Sequence, residues 1–255
     1  MNPVRENPIL VSLFKVAVQK NNAVIIRHML DQKAVSNRER SVGLHKAITA
    51  GHEPIARMLL EDRRTDGADV NLDHYLCLAL KMGREPIAEW LLEQGASPSG
   101  ANICGFSALG SAIRSGSLAM VRRLLDCGAD VGAIDRNGHS AAMLAARETS
   151  TEVLKAILDS GACMDLALSS AVRSNRYAHA QLLLLRGVDA NESNEAGITP
   201  LMYALLHGSP RMIRLLMRYG AKPDQQDCDG ESALTYASRH GKHELYSLLN
   251  GRSAP

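Results

Sequence analysis

Apolar residues in this chain recur at three- and four-residue spacing for about one short helix, stop at a glycine or a polar pair, and then begin again. Between Gly105 and Asp130, Leu109, Ala112 and Ile113 mark one face of a helix, Gly116 interrupts it, and Val121, Leu124 and Leu125 mark a second. The pattern predicts two short antiparallel helices joined by a tight turn. A pair of this size cannot bury its apolar faces alone, so it needs neighbours on both sides.

Those neighbours are written into the sequence. Gly51-His-Glu-Pro-Ile-Ala-Arg-Met-Leu-Leu-Glu61 returns 32 residues later as Gly83-Arg-Glu-Pro-Ile-Ala-Glu-Trp-Leu-Leu-Glu93. Leading apolar positions fall at Phe14, Leu44, Leu76, Leu109, Ala142, Leu168, Leu201 and Leu234, at intervals of 30, 32, 33, 33, 26, 33 and 33 residues. Three residues further on stands an alanine, at 47, 79, 112, 145, 171, 204 and 237, small enough for adjacent units to approach closely. Pro54, Pro86 and Pro210 sit where a first-turn proline forfeits no helical hydrogen bond. Glycines at 67, 95, 128, 161, 187 and 220 are placed to end the second helices.

The period and the motif words Thr199-Pro200-Leu201, Leu44-His45-Lys46-Ala47 and Gly67-Ala68-Asp69-Val70-Asn71 resemble the ankyrin repeat over essentially the whole chain. The resemblance implies an all-α ankyrin-repeat solenoid of about eight helix-turn-helix units with short β-hairpin fingers, some of them truncated. The units fall at residues 14–36, 37–71, 72–101, 102–134, 135–163, 164–193, 194–226 and 227–255, behind an N-terminal cap over 1–13. Lys242, His243 and Glu244 give the last unit the polar character of a cap. His45 stands where the family's histidine makes hydrogen bonds within and between repeats. Trp90 falls on a helix face directed at its partner and is expected in the core.

Connection lengths vary. From Gly95, Gly128, Gly187 and Gly220 the next leading residue lies 14 positions on, enough for a projecting finger. Only seven positions separate Gly161 from Leu168, and nine separate Gly67 from Leu76, beyond an insertion around Glu61–Asp66. Full fingers are therefore expected before units four, five, seven and eight. The shortened connections read as drift of the repeat, with a purpose-built notch as the alternative.

Composition narrows the function. Apolar residues make up 45% of the chain and aromatics 4%, which suits thin helices closely packed. The balance of 29 Lys and Arg against 27 Asp and Glu creates no overall field that demands nucleic acid or a membrane. Five cysteines without any CxxC spacing argue against a disulfide framework or a zinc site and favour a reducing compartment. The first residues lack a signal pattern, and the longest aliphatic run, Leu182 to Leu185, is far below the roughly 20 residues of a bilayer span. A cytoplasmic protein is expected, or an effector exported to a host cytoplasm without a cleavable signal.

GxGxxG after a strand, Walker, GxSxG and HExxH motifs are missing. No enzyme activity, cofactor or metal is expected; His240 and His243 lie on opposite sides of a turn, and Cys104 and Cys228 belong to finger tips with solvent-facing neighbours.

The resemblance places partners against the finger tips and the exposed ends of the first helices. Those ends read Gln19-Lys20, Thr49-Ala50, Lys81-Met82, Arg114-Ser115, Arg147-Glu148, Arg173-Ser174, Leu206-His207 and Arg239-His240, so that six of eight carry a cation. Aligned by stacking, they would attract an acidic peptide or protein face; as solvated spacers they would bind nothing. Candidate partner-binding residues are Lys81, Ile103, Phe106, Arg114, Arg136, His139, Arg147, Arg173, His207 and Arg239. Phe106 is either an exposed anchor beside Arg114 or folded back over its hairpin. The last two fingers turn acidic, with Glu195, Asp229 and Glu231. The leading function is a non-enzymatic protein-binding module, monomeric when unbound; nucleic-acid binding by the same cations is the alternative, weakened by the lack of stacking aromatics.

Overall fold

A computed structural model describes residues 8–65, 70–207, 209–239 and 243–249, with the side chains of 63–65, 243, 244 and 248 left out. His240 of the last helix end, the polar cap at Lys242, His243 and Glu244, and Gly67 lie outside what is described. The chain forms two compact units, Met1–Asp130 and Val131–Pro255.

Eight helices build the described part of the first unit: α1 (Pro8–Gln19), α2 (Ala23–Asp31), α3 (Asn37–Ala50), α4 (Glu53–Thr65), α5 (Leu72–Lys81), α6 (Glu85–Glu93), α7 (Ala108–Ser115) and α8 (Leu118–Asp126). Odd-numbered helices pack in sequence, α1 on α3, α3 on α5 and α5 on α7, while α2, α4 and α6 form a second layer behind them. The second unit repeats the plan with α9 (Ala141–Glu148), α10 (Thr151–Asp159), α11 (Ala167–Arg173), α12 (Tyr177–Leu185), α13 (Pro200–Leu206), α14 (Pro210–Arg218), α15 (Ala233–Arg239) and α16 (His243–Leu249). There α9, α11, α13 and α15 are neighbours in order. Within each unit the architecture is that of a helix-turn-helix solenoid. Among the described residues strand pairing is reduced to isolated bridges, Ala101 with Ser107 and Gln226 with Ser232.

The core follows the periodic positions. Phe14, Leu44, Leu76, Leu109, Ala142, Leu168 and Leu201 are buried, as are the seven alanines of the first helices. A larger side chain at these alanines would push units apart, an overpacking that costs about 1–3 kcal/mol. Trp90 is buried as expected, with the Arg57 guanidinium 5.5 Å from its ring centroid. His45 is instead exposed, because it sits one position beyond Leu44 on the face turned away from the core.

The hydrogen bond between repeats is made elsewhere. His179, on α12, occupies the position held by Ile55, Ile87, Met120 and Val153 in other repeats, is buried, and donates from Nδ1 to the Ala146 carbonyl at 2.9 Å. Arg84 and Arg176 act alike from the starts of α6 and α12: Arg84 Nη2 donates to the Thr49 carbonyl at 2.8 Å and Arg176 Nε to that of Arg147 at 3.3 Å. Each satisfies a carbonyl left open at the end of the preceding first helix.

Turns obey local chemistry. Gly51 and Gly116 take φ of 85° and 77° after their helices, and Asn21 adopts 54° at the equivalent turn of the first repeat, where asparagine is the best non-glycine substitute. The insertion near Glu61 lengthens α4, and its Asp62 bridges buried Arg40 of α3 at 2.7 Å.

Candidate protein-binding surface

Four fingers share one construction. Asn102, Asp135, Asn194 and Asp227 each accept, through Oδ1, the backbone N–H groups two and four residues ahead, at 2.8–3.1 Å. A glycine with positive φ follows at 105, 138, 197 or 230. The next element is a helix cap: Ser107, Ser140, Thr199 and Ser232 accept from the N–H three residues on. The pattern Asn/Asp-x-x-Gly-x-Ser/Thr is thus a turn and a helix start in six residues, and it occurs before units four, five, seven and eight.

Before unit six it is absent. Ala162 to Leu166 cross directly to α11, whose first position is preceded by Leu166 at φ 56° with no side-chain cap. The missing cap comes from the far end of the same repeat, beyond α12: Glu192 accepts from Ser169 N–H at 2.7 Å and from Leu166 N–H at 3.1 Å. Burial pushes the Glu192 carboxyl above its usual range, with these hydrogen bonds working against the shift.

The absent finger leaves a cleft of about 490 Å³ in the second unit. Leu166, Ser169 and Ser170 of the α11 start form its floor, with Met143 beside them. One wall is the finger at Asn137 to His139; the other is Asn194 to Ala196, with Tyr203. Arg173 stands at the end of α11, exposed, and has no carboxylate partner among the described residues. Asn194 Nδ2 donates to the Tyr203 hydroxyl at 3.3 Å, which ties the second wall to α13.

His139 is fixed by Asp135, whose Oδ2 lies 3.3 Å from Nδ1. Burial pushes the Asp135 carboxyl up, but hydrogen bonds from the His139 and Asn137 N–H groups and from the imidazole outweigh it, so its pKa falls below the ordinary value. The carboxylate therefore stays charged and holds the finger closed.

The other candidates are placed as follows. Lys81 and His207 are exposed at the ends of α5 and α13. Arg136 is exposed at its finger tip. Arg147 is paired with Glu148, and Arg239 with Glu231 of the last finger, so both charges are answered within the chain. In the first unit Ile103 projects, 80% exposed, whereas Phe106 is half-buried with the Arg114 guanidinium 4.6 Å from its ring centroid. Phe106 is folded back under an arginine, and Ile103 alone presents apolar surface at that tip. The Phe106 carbonyl also accepts the buried Cys77 thiol at 3.4 Å, and burial pushes that thiol up to about 12.

Reading the helix ends and fingers one by one missed Asn194, Tyr203 and the floor serines. The signal was present in the interruption of the six-residue finger pattern between Gly161 and Leu168. Among the described residues no group of His, Cys, Asp and Glu converges in a way that could hold a metal ion, and no helix is long and apolar enough to cross a membrane.

Stacked helix pairs, alanine-lined contacts and capped fingers define a repeat protein. The chain belongs to the ankyrin repeat family: the family description, ankyrin repeats in three copies, matches residues 13–102, 76–167 and 168–253. It is similar to the ankyrin repeat domain of human ASB11, with a TM-score of 0.68 and 27% identity over 83% of this chain and 98% of that one. The ankyrin repeat domain of Bcl-3, a member of the IkappaB protein family, gives 0.65 and 27% over 82% and 97%. Among whole proteins, an ankyrin repeat domain-containing protein, SAT10, of Stachybotrys chartarum is 38% identical over 82 residues, or 32% of this chain and 4% of SAT10. The human ARF GTPase-activating protein GIT1 is 38% identical over 83 residues, or 32% of this chain and 11% of GIT1. The chain therefore spans only a small part of the length of these relatives. Ankyrin repeats are in general protein-protein interaction modules and non-enzymatic.

Proposed function

We propose that this chain is a non-enzymatic interaction module, an adaptor, inhibitor or effector, that takes an acidic segment of a partner protein into the cleft left by the missing finger. The observation that carries this reading is Arg173: an exposed guanidinium at the mouth of a walled cleft, without the intramolecular carboxylate that answers Arg147 and Arg239. The hydroxyl of Tyr203 and the amide of Asn137 line the same space, and they favour an extended polar segment over an apolar helix. A carboxylate placed bidentately on Arg173 gains a charge-assisted pair of hydrogen bonds and a fixed orientation.

Capture from a lysate by immobilised protein, run beside Arg173→Glu, tests the reading. A partner retained by the native chain and lost from the variant is expected, with unchanged far-UV circular dichroism. An identical set of retained proteins from both would overturn it.

A further inference from the structure

A second charged surface lies on the other layer of helices, away from the fingers. The stretch Arg211-Met-Ile-Arg-Leu-Leu-Met-Arg218 buries Met212, Ile213, Leu215 and Leu216 and leaves Arg211, Arg214 and Arg218 exposed. Spacings of three and four residues put all three guanidiniums on one side of α14. Arg211, Arg214 and Arg218 have no carboxylate partner among the described residues, although Arg40, Arg57, Arg123, Arg147, Arg186 and Arg239 all do. Neither α14 nor the adjacent α12 contains an acidic residue.

The surface is shaped as well as charged. A groove of about 230 Å³ runs over α12 and α14 and is lined by the three arginines together with Tyr177, Gln181 and Tyr219. The Arg211 guanidinium lies 3.9 Å from the Tyr177 ring centroid, which restrains the side chain and lowers the entropy lost when it engages a ligand.

We propose that this groove recognises a phosphomonoester carried by a side chain of a partner protein. A phosphorylated side chain brings about −1.5 to −2 charge and three acceptor oxygens, which several guanidiniums satisfy together; one carboxylate needs only one. A nucleic acid strand is matched less well, because stacking needs open aromatic faces and Arg211 covers Tyr177. The groove is independent of the Arg173 cleft.

The test is fluorescence anisotropy with a phosphoserine-centred peptide library of degenerate flanks, its unphosphorylated twin, phosphatidylserine vesicles and a mixed-sequence RNA strand. The phosphorylated library is expected to bind at least about tenfold more tightly than its twin, a difference of about 1.4 kcal/mol. Arg211→Gln with Arg214→Gln and Arg218→Gln should remove that preference, Arg214→Lys should weaken it, and Arg122→Gln on α8 should leave it intact. Equal binding of the two libraries, an unchanged preference in the triple variant, or tighter binding of vesicles or RNA would overturn the proposal. Excess inorganic phosphate should compete with the phosphorylated library and not with the twin.

Discussion

Arg114 lies across the ring of Phe106, its guanidinium carbon 4.6 Å from the centroid, so the helix end and the finger of the same repeat are in contact. The arginine is thus part of the finger's own structure before any partner arrives. A double-mutant cycle with Phe106→Leu and Arg114→Gln should give a coupling of about 0.5–1 kcal/mol in urea unfolding. Additive effects would mean that the two side chains do not depend on each other.

Glu192 replaces the missing cap of α11 from the far end of the same repeat. Glu192→Ala should lower stability by about 1–2 kcal/mol, since two N–H groups lose their acceptor. Glu192→Gln keeps one carbonyl acceptor and should lose less. Equal midpoints for the native chain and Glu192→Ala would show that water serves α11 as well.

His179 makes stability depend on pH. Burial lowers its pKa in the folded state, with the hydrogen bond to the Ala146 carbonyl opposing the shift and the nearby Arg176 adding to it. The neutral imidazole is the form that folds, so its contribution is complete above the unfolded pKa of about 6.5 and is lost as pH falls through the lower folded value. His179→Met, matching Met120 and Met212, should flatten the fall in unfolding midpoint on acidification. His74, whose pKa burial also lowers, is present in both proteins and cancels. Parallel pH profiles for the two proteins would rule out this role.

Two glycines separate conformational strain from crowding. Gly138 and Gly197 both have φ of 78°, but a Cβ at Gly138 meets open space whereas one at Gly197 would stand 2.7 Å from the Asp227 Cα of the next finger. Gly138→Ala should cost about 1 kcal/mol, the usual penalty of a left-handed alanine, and Gly197→Ala at least about 1 kcal/mol more. Thermal midpoints measured side by side decide this; equal losses would mean that the fingers separate freely.

The fold was legible because its determinants are local and repeated. Ala47 and its counterparts, the prolines at 54, 86 and 210, and the spacing of the leading residues name the helices and the core without reference to distant contacts. Connection lengths were enough to place the four fingers. What escaped was long-range: the repeat register puts His179 at a core position but does not show that the Ala146 carbonyl meets it there, and Glu192 lies 23 residues from Ser169, which it caps. The candidate surface was legible as a set of helix ends and not as an arrangement. Sequence shows that Arg147, Arg173 and Arg239 occupy like positions, but only the fold shows that Glu148 and Glu231 answer two of them.

The cleft around Arg173 is tested most directly by following backbone amide shifts of the isotopically labelled protein during titration with an aspartate-centred peptide library. Shifts should concentrate on Leu166 to Arg173 and on the fingers at 135–139 and 194–198, and Arg173→Gln should remove them. Shifts that fall elsewhere, or that persist unchanged in the variant, would contradict the assignment of this cleft as the partner's seat.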